Sequence, residues 1–276
     1  MEVRYSPDSK SFNEMNTDEL RENFLISLFQ KDKIPMVYSD VDRSITGSAV
    51  PVKKNLNLTA SKKEMAANYF AERREIGVIN IGGNGSIKVD NEIYKMKNKD
   101  ALYIGRGSKK IEFMSSNNKK PAKYYFVSYP AHTSYPTTKA KFSEATPVHL
   151  GSLSTSNKRT INKYIFPGGI KSCQLVMGLT ELDEGSVWNT MPAHTHQRRS
   201  EIYMYFNLSD DSFVVHLIGK PNETKHIIIR DGEAVLSTSW SLHAGAGTKN
   251  YSFIWAMGGE NQEFDDMDWI PMKELK

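Results

Sequence analysis

Short apolar runs closed by glycine, asparagine or proline follow one another from Glu75 nearly to the end of this 276-residue chain. Runs this short, rich in β-branched and aromatic residues, suit strands and leave no room for long helices. The first series occupies residues 76–81, 86–89, 101–104, 111–114 and 124–128; the second occupies 172–180, 187–189, 201–206, 213–217, 226–230, 234–237 and 251–257. Strands at such spacing predict sandwiches or barrels. Residues 131–160, with Pro136, Pro147 and many serines and threonines, read as a crossing or linker. The expected division is therefore 1–130, an N-terminal segment and first barrel, then the linker, then 161–276, a second barrel.

Only the start of the chain reads as helix. Asn16 or Thr17 can cap it, Asp18 and Glu19 suit its positive end, and Leu20, Phe24, Leu28 and Phe29 form an apolar stripe. A second short helix is expected over 61–73. The two strand series also echo each other. Arg73-Arg74-Glu75-Ile76 matches Arg199-Ser200-Glu201-Ile202, Asp100-Ala-Leu-Tyr-Ile matches Glu233-Ala-Val-Leu-Ser, and Tyr125-Phe-Val-Ser-Tyr matches Tyr251-Ser-Phe-Ile-Trp.

Chemistry concentrates in the second series. His194 and His196 are two residues apart and Glu201 follows at the head of a strand pattern that continues through Tyr203 and Tyr205. Period-two alternation lets the two imidazoles share one direction, and Glu201, Tyr203 and Tyr205 another face. Two imidazoles and a carboxylate make three sides of a divalent-metal site. His243, in Trp240-Ser-Leu-His243, arrives some strands later as a fourth ligand. His216 and His226 lie in strands with no partner spacing and read as sheet histidines. In register, the first copy keeps Glu75 at the glutamate position and sets Lys110 opposite His243, so only one copy is expected to hold metal. Arg198 and Arg199 flank the ligands, and a guanidinium grips a carboxylate with two hydrogen bonds.

Composition narrows the partners. A net charge of +4 with no Lys/Arg-dense run gives no reason to expect nucleic acid, while a small acidic substrate stays compatible. The one cysteine, Cys173, sits in an apolar run and reads as a buried structural thiol, which excludes disulfides and a thiolate zinc site. No apolar run is long enough to span a bilayer, and a cytoplasmic setting is expected.

His-x-His-x4-Glu with a later histidine resembles the ligand order of the cupin barrel. Longer stretches are more specific: Asp42-Arg43 with Gly47 and Pro51, Glu72-Arg-Arg-Glu-Ile-Gly-Val-Ile-Asn-Ile-Gly-Gly83, and Pro130-Ala-His-Thr-Ser-Tyr-Pro136. So are Asn157-Lys-Arg-Thr-Ile161, Ser172-Cys-Gln-Leu-Val-Met-Gly-Leu-Thr180, Gly185-Ser-Val-Trp-Asn-Thr-Met-Pro-Ala-His-Thr-His196 and Tyr251-Ser-Phe-Ile-Trp255 with Met257-Gly-Gly-Glu-Asn261. Together they cover nearly the whole chain, which resembles the 5-keto-4-deoxyuronate isomerase family, the 4-deoxy-L-threo-5-hexosulose-uronate ketol-isomerases of pectin and oligogalacturonate breakdown. The resemblance implies an all-β double cupin, two jelly-roll β-barrels with a short helical N-terminal segment. It also implies one Zn²⁺ per subunit on His194, His196, Glu201 and His243, a homohexamer, and 3-deoxy-D-glycero-2,5-hexodiulosonate as product.

The chemistry expected is proton transfer through a zinc-stabilised enediolate. Tyr203 and Tyr205 are the candidates for moving protons, with Glu201 a candidate only if it shifts its coordination. Arg198, Arg199 or Arg74 would hold the distal carboxylate. An Fe(II) cupin dioxygenase and a non-enzymatic sugar-acid-binding cupin are the competing readings.

Overall fold

The computed structural model describes residues 1–263 and 265–276 and divides them into two units. In the first, Arg74–Asn80 and Tyr124–Pro130 form the central antiparallel ladder, with Val78 opposite Phe126. A seven-stranded sheet extends from that ladder in the order Glu2–Arg4, Met36–Ser39, Ile45–Ala49, Tyr124–Pro130, Arg74–Asn80, Ala101–Ile104, Thr138–Ala140. A four-stranded sheet runs Leu56–Asn57, Ile111–Ser115, Gly85–Val89, Glu92–Met96. Ile76, Val78, Ile104, Ile111, Phe113 and Phe126 meet in one buried core cluster, the dry interior of a barrel.

The second unit repeats this plan strand for strand. Its seven-stranded sheet runs Thr146–Leu150, Arg159–Ile165, Val176–Leu182, Ser252–Gly259, Arg199–Phe206, Glu233–Ser237, Leu25–Ser27. Its other sheet runs Glu223–Ile229, Val214–Lys220, Leu242–Gly247, Trp188–Thr195, with Asp268–Trp269 added at the edge. The fold is an all-β double cupin, and the repeat is visible in the matching strand orders.

Several expectations change. The helix Thr17–Phe24 is capped by Asn16, with Glu19 completing the box, but it stops at Phe24. Leu25–Ser27 turn extended and pair with Glu233–Ser237, so Leu28 and Phe29 never join the helical stripe. That pairing places residues 5–27 in the second unit, not the first. Residues 131–160 are no spacer either. Thr138–Ala140 close the first unit's sheet and Thr146–Leu150 start the second's; the second unit begins at Thr146, but Tyr164–Leu175, expected in the second barrel, belong to the first unit. Over 61–73 only Lys62–Met65 is α-helical, ended by Ala66 in the left-handed region. Cys173 is half-buried.

The proposed register of the repeat also slips by one residue, which in a strand reverses every side chain. Glu75 lies on the opposite face from Ile76 and Val78. It accepts hydrogen bonds from the backbone N–H groups of Cys173, Gln174 and Leu175 at 2.7–2.9 Å, and from the Tyr103 hydroxyl at 2.9 Å. Lys110 is exposed just before its strand, and Ile111 takes the inward place. The first barrel thus offers isoleucines, not a glutamate and a lysine, at these inward positions.

One glycine in the second barrel is fixed by contact. Gly178 pairs with Trp255 across the ladder, and a Cβ there would stand 2.2 Å from Trp255 Cζ2 and 2.7 Å from the Asn162 carbonyl. Trp255 is buried and donates to Thr180 Oγ1 at 3.2 Å, so it cannot yield freely. Gly178→Ala is expected to destabilise the protein by about 1–3 kcal/mol; an unchanged thermal midpoint would show that the indole has room to move.

Candidate metal centre and its cavity

A bulge delivers the first two histidines. Trp188 and Asn189 pair with Ala246 and Gly245, yet His194 pairs with His243, so the strand Trp188–Thr195 carries extra residues between. Those residues, Thr190, Met191 and Pro192, line a cavity. His196 follows just after the strand. His243 stands directly opposite His194 on the same sheet, while Glu201 comes from the other sheet. The cluster is thus assembled across both sheets of the barrel.

The four donor atoms form a ring. His194 Nε2 lies 3.0 Å from His196 Nε2 and 3.1 Å from His243 Nε2, and Glu201 Oε2 lies 3.0 Å from His196 Nε2 and 2.8 Å from His243 Nε2. All four residues are buried, and their ligand atoms lie within 4.8 Å of one another. Zinc–ligand bonds of 2.0–2.1 Å hold tetrahedral donors about 3.3 Å apart. Three imidazole nitrogens facing one another cannot all be satisfied by sharing protons, whereas a central cation satisfies each lone pair. His196 Nδ1–H donates to the Asp266 carbonyl at 2.6 Å, which leaves its Nε2 lone pair for a metal. The donor set fits a divalent ion.

Protonation agrees with this. Burial, then repulsion from His243 and His196, pulls the His194 pKa down to about 2, and burial lowers that of His243. Burial pushes Glu201 up, but contact with His243 and His196 outweighs it and holds the carboxyl below its usual range. Neutral imidazoles and an ionised carboxylate are the forms that bind metal.

Above the cluster is a cavity of 150 Å³ whose lining includes His194, His196, Glu201, Tyr203, Thr190 and Arg159. Much of the rest is apolar: Met191, Pro192, Phe253, Trp255, Met257, Met267 and Trp269. Tyr203 places its hydroxyl 3.0 Å from Thr190 Oγ1, and burial raises its pKa well above the ordinary phenol. Tyr205 does not line the cavity. Its hydroxyl meets His216 Nδ1 at 2.7 Å, behind the ligands.

The three arginines expected at the site are elsewhere engaged. Arg198 is largely a surface residue, ion-paired with Asp266 and Asp268. Arg199 is buried and donates to the carbonyls of Glu263 at 2.5 Å and Asp266 at 3.4 Å, steadying the segment whose Asp266 carbonyl orients His196. Arg74 belongs to the first unit and lines another cavity there. The arginine that does face the cluster's cavity is Arg159, which with Ile161 occupies one face of its strand. Burial lowers its pKa, but a guanidinium stays charged, and its Nη1 donates to the Asn157 carbonyl at 2.9 Å. Arg159 stood in a stretch carrying the family resemblance, yet the serine- and threonine-rich surroundings hid its strand.

His216 gives a pH signature. It is fully buried, and burial draws its pKa from 6.5 to about 3. The native imidazole stays neutral where the unfolded one takes up a proton, so its stabilisation is complete above about pH 6.5 and is lost as pH falls toward 3. The slope is up to about 1.4 kcal/mol per pH unit. Urea unfolding at pH 7.5 and 5 is expected to show a smaller pH effect in His216→Gln than in the parent; equal effects would exclude this linkage.

A model of the KduI/IolB family matches residues 26–272. A 4-deoxy-L-threo-5-hexosulose-uronate ketol-isomerase from Caldicellulosiruptor bescii is 54% identical over 277 residues, covering all of both chains. One of the same name from Escherichia coli is 50% identical over 278 residues, again covering both chains fully. Among solved structures, an IolB-like protein from Salmonella typhimurium aligns with a TM-score of 0.71 at 12% identity, over 90% of this chain and 97% of that one. An oxalate decarboxylase from Bacillus subtilis aligns with a TM-score of 0.61 at 9% identity, over 87% of this chain and 78% of that one. At such identities these two speak to fold alone.

Proposed function

The chain belongs to the KduI/IolB family, and on that premise we propose that it is a metal-dependent ketol-isomerase converting 4-deoxy-L-threo-5-hexosulose uronate to 3-deoxy-D-glycero-2,5-hexodiulosonate. The observation that carries this reading is one cavity lined both by His194, His196 and Glu201 of the buried cluster that His243 completes and by a half-buried arginine, Arg159. A substrate with a carbonyl–hydroxyl pair at one end and a carboxylate at the other matches both. Zn²⁺, one per subunit, is the ion proposed, and when bound it supplies Lewis acidity that offsets the charge developing as a carbon-bound proton leaves.

The protein's own groups do the rest. Arg159 holds the carboxylate and so fixes which end of the sugar faces the cluster. Tyr203, kept protonated by burial, holds a transferable proton at its hydroxyl, with Thr190 Oγ1 as its hydrogen-bond partner. Trp255, Met257, Met267 and Trp269 wall the site with apolar surface and limit water at the reacting carbons. Tyr205, tied to His216, positions Tyr203's strand. The same reading carries a homohexamer and a cytoplasmic setting, which sedimentation and cell fractionation check.

Turnover of the ketouronate followed by NMR in D₂O tests the proposal. Deuterium at the product's new CH₂ is expected for transfer through exchangeable groups. Complete retention of the transferred hydrogen would overturn this in favour of a hydride shift, and absence of turnover would overturn the function. Elemental assay of protein purified without added metal separates zinc from the iron that a dioxygenase would need.

A further inference from the structure

The first barrel has its own cavity, 510 Å³ in volume, with Phe70 in its apolar lining. Arg43, Lys63, Arg73 and Arg74 bring four cations to it; Glu64 brings one carboxylate, already paired with the N-terminal ammonium at 2.7 Å. Arg74 is 8% exposed. Its Nε donates to Ser128 Oγ at 3.0 Å, and its Nη2 donates to the carbonyls of Ser128 at 2.8 Å and Arg43 at 2.5 Å. Among the described residues, Nη1 has no protein acceptor and no carboxylate forms an ion pair with Arg74. Arg74 precedes the inward Ile76 as Arg199 precedes Glu201, and both donate to backbone carbonyls, but Arg74 also lines this cavity. The Glu75 carboxylate next in the chain favours the charge of Arg74 without pairing with it, and a buried cation with no direct ion pair gains from an anion that contacts it. The turn that presents Arg43 is also strained: Asp42 and Arg43 both have positive φ, 49° and 51°, and the Arg43 carbonyl is held there by Arg74.

We propose that this cavity is a second binding site, specific for a small organic carboxylate of sugar-acid size and separate from the metal centre. Arg74 Nη1 and the Arg43 guanidinium take the carboxylate oxygens, and Phe70 supports the carbon skeleton. The site binds without chemistry, because the first barrel's inward positions carry isoleucine where the second carries metal ligands.

Calorimetric titration of the metal-loaded full chain with D-galacturonate tests this, on an Arg159→Met background that removes the proposed grip at the metal centre. Binding is expected there and should weaken about tenfold in Arg43→Ala, an exposed change that leaves the core intact, and in Arg74→Gln. Galactose, which lacks the carboxylate, is expected not to bind. No binding of galacturonate, or binding indifferent to Arg43→Ala, would overturn the proposal. So would phosphate binding tightly in its place, which would mark an inorganic-anion site.

Discussion

Replacing His243 with alanine is expected to empty the metal centre and abolish turnover together. Its Nε2 touches both His194 Nε2 and Glu201 Oε2, so it closes two edges of the donor ring. Loss of a partner that merely orients a ligand typically costs 10–100-fold in metal affinity or activity; loss of a ligand should cost more. The remaining imidazoles and Glu201 would share a space that water enters, and the carboxylate would lose a neighbour that keeps it ionised. Metal content should fall from one ion per chain to near none, and added Zn²⁺ should raise the melting temperature of the parent but not of the variant. His149→Ala serves as the control, since His149 is exposed and its Nδ1 meets Thr160 Oγ1 at 3.1 Å, on the strand pair Thr146–Leu150 and Arg159–Ile165. Undiminished turnover by a metal-free His243→Ala protein would sink the metal-dependent mechanism.

The four residues of the buried cluster were legible in sequence because His194, Glu201 and His243 sit in strands whose alternation fixes their direction, with His196 one residue past its strand, and the late histidine falls at a strand's second position whatever the loops do. What escaped was set by chain pairing over long separations. Leu25–Ser27 became a strand only because Glu233–Ser237 offered an open edge more than two hundred residues away, and helical propensity at Leu28 and Phe29 could not foretell that. Glu75 matched Glu201 as a letter, yet a one-residue slip turned it outward to three backbone N–H groups. Arg198 and Arg199 stood beside the cluster in sequence, where the turn sends one to the surface and the other to the carbonyls of Glu263 and Asp266. Proximity along the chain says little about which arginine enters a cavity; the strand face does, and Arg159 shares its face with Ile161.

That assignment makes the sharper prediction. Arg159→Met keeps the length and apolar stem of the side chain while removing the cation, so the cavity wall should survive and the carboxylate should lose its partner. Breaking one side of a buried, hydrogen-bonded charge pair, as the substrate carboxylate would make it on binding, costs about 2–5 kcal/mol, which is a loss in kcat/KM of roughly 30- to 5,000-fold. The carboxylate lies away from the carbons that exchange the proton, and its grip is made equally in ground and transition states. The loss should therefore fall mainly on KM, with kcat less affected. Arg159→Lys should recover part of the binding, since charge returns without the two-pronged geometry. Converting the substrate carboxylate to its methyl ester should bring parent and Arg159→Met to nearly the same rate. Arg198→Ala, by contrast, removes only a surface pair with Asp266 and Asp268 and should leave KM nearly unchanged. If Arg198→Ala raised KM while Arg159→Met did not, the carboxylate would have to be held from the rim of the cavity and not from its wall.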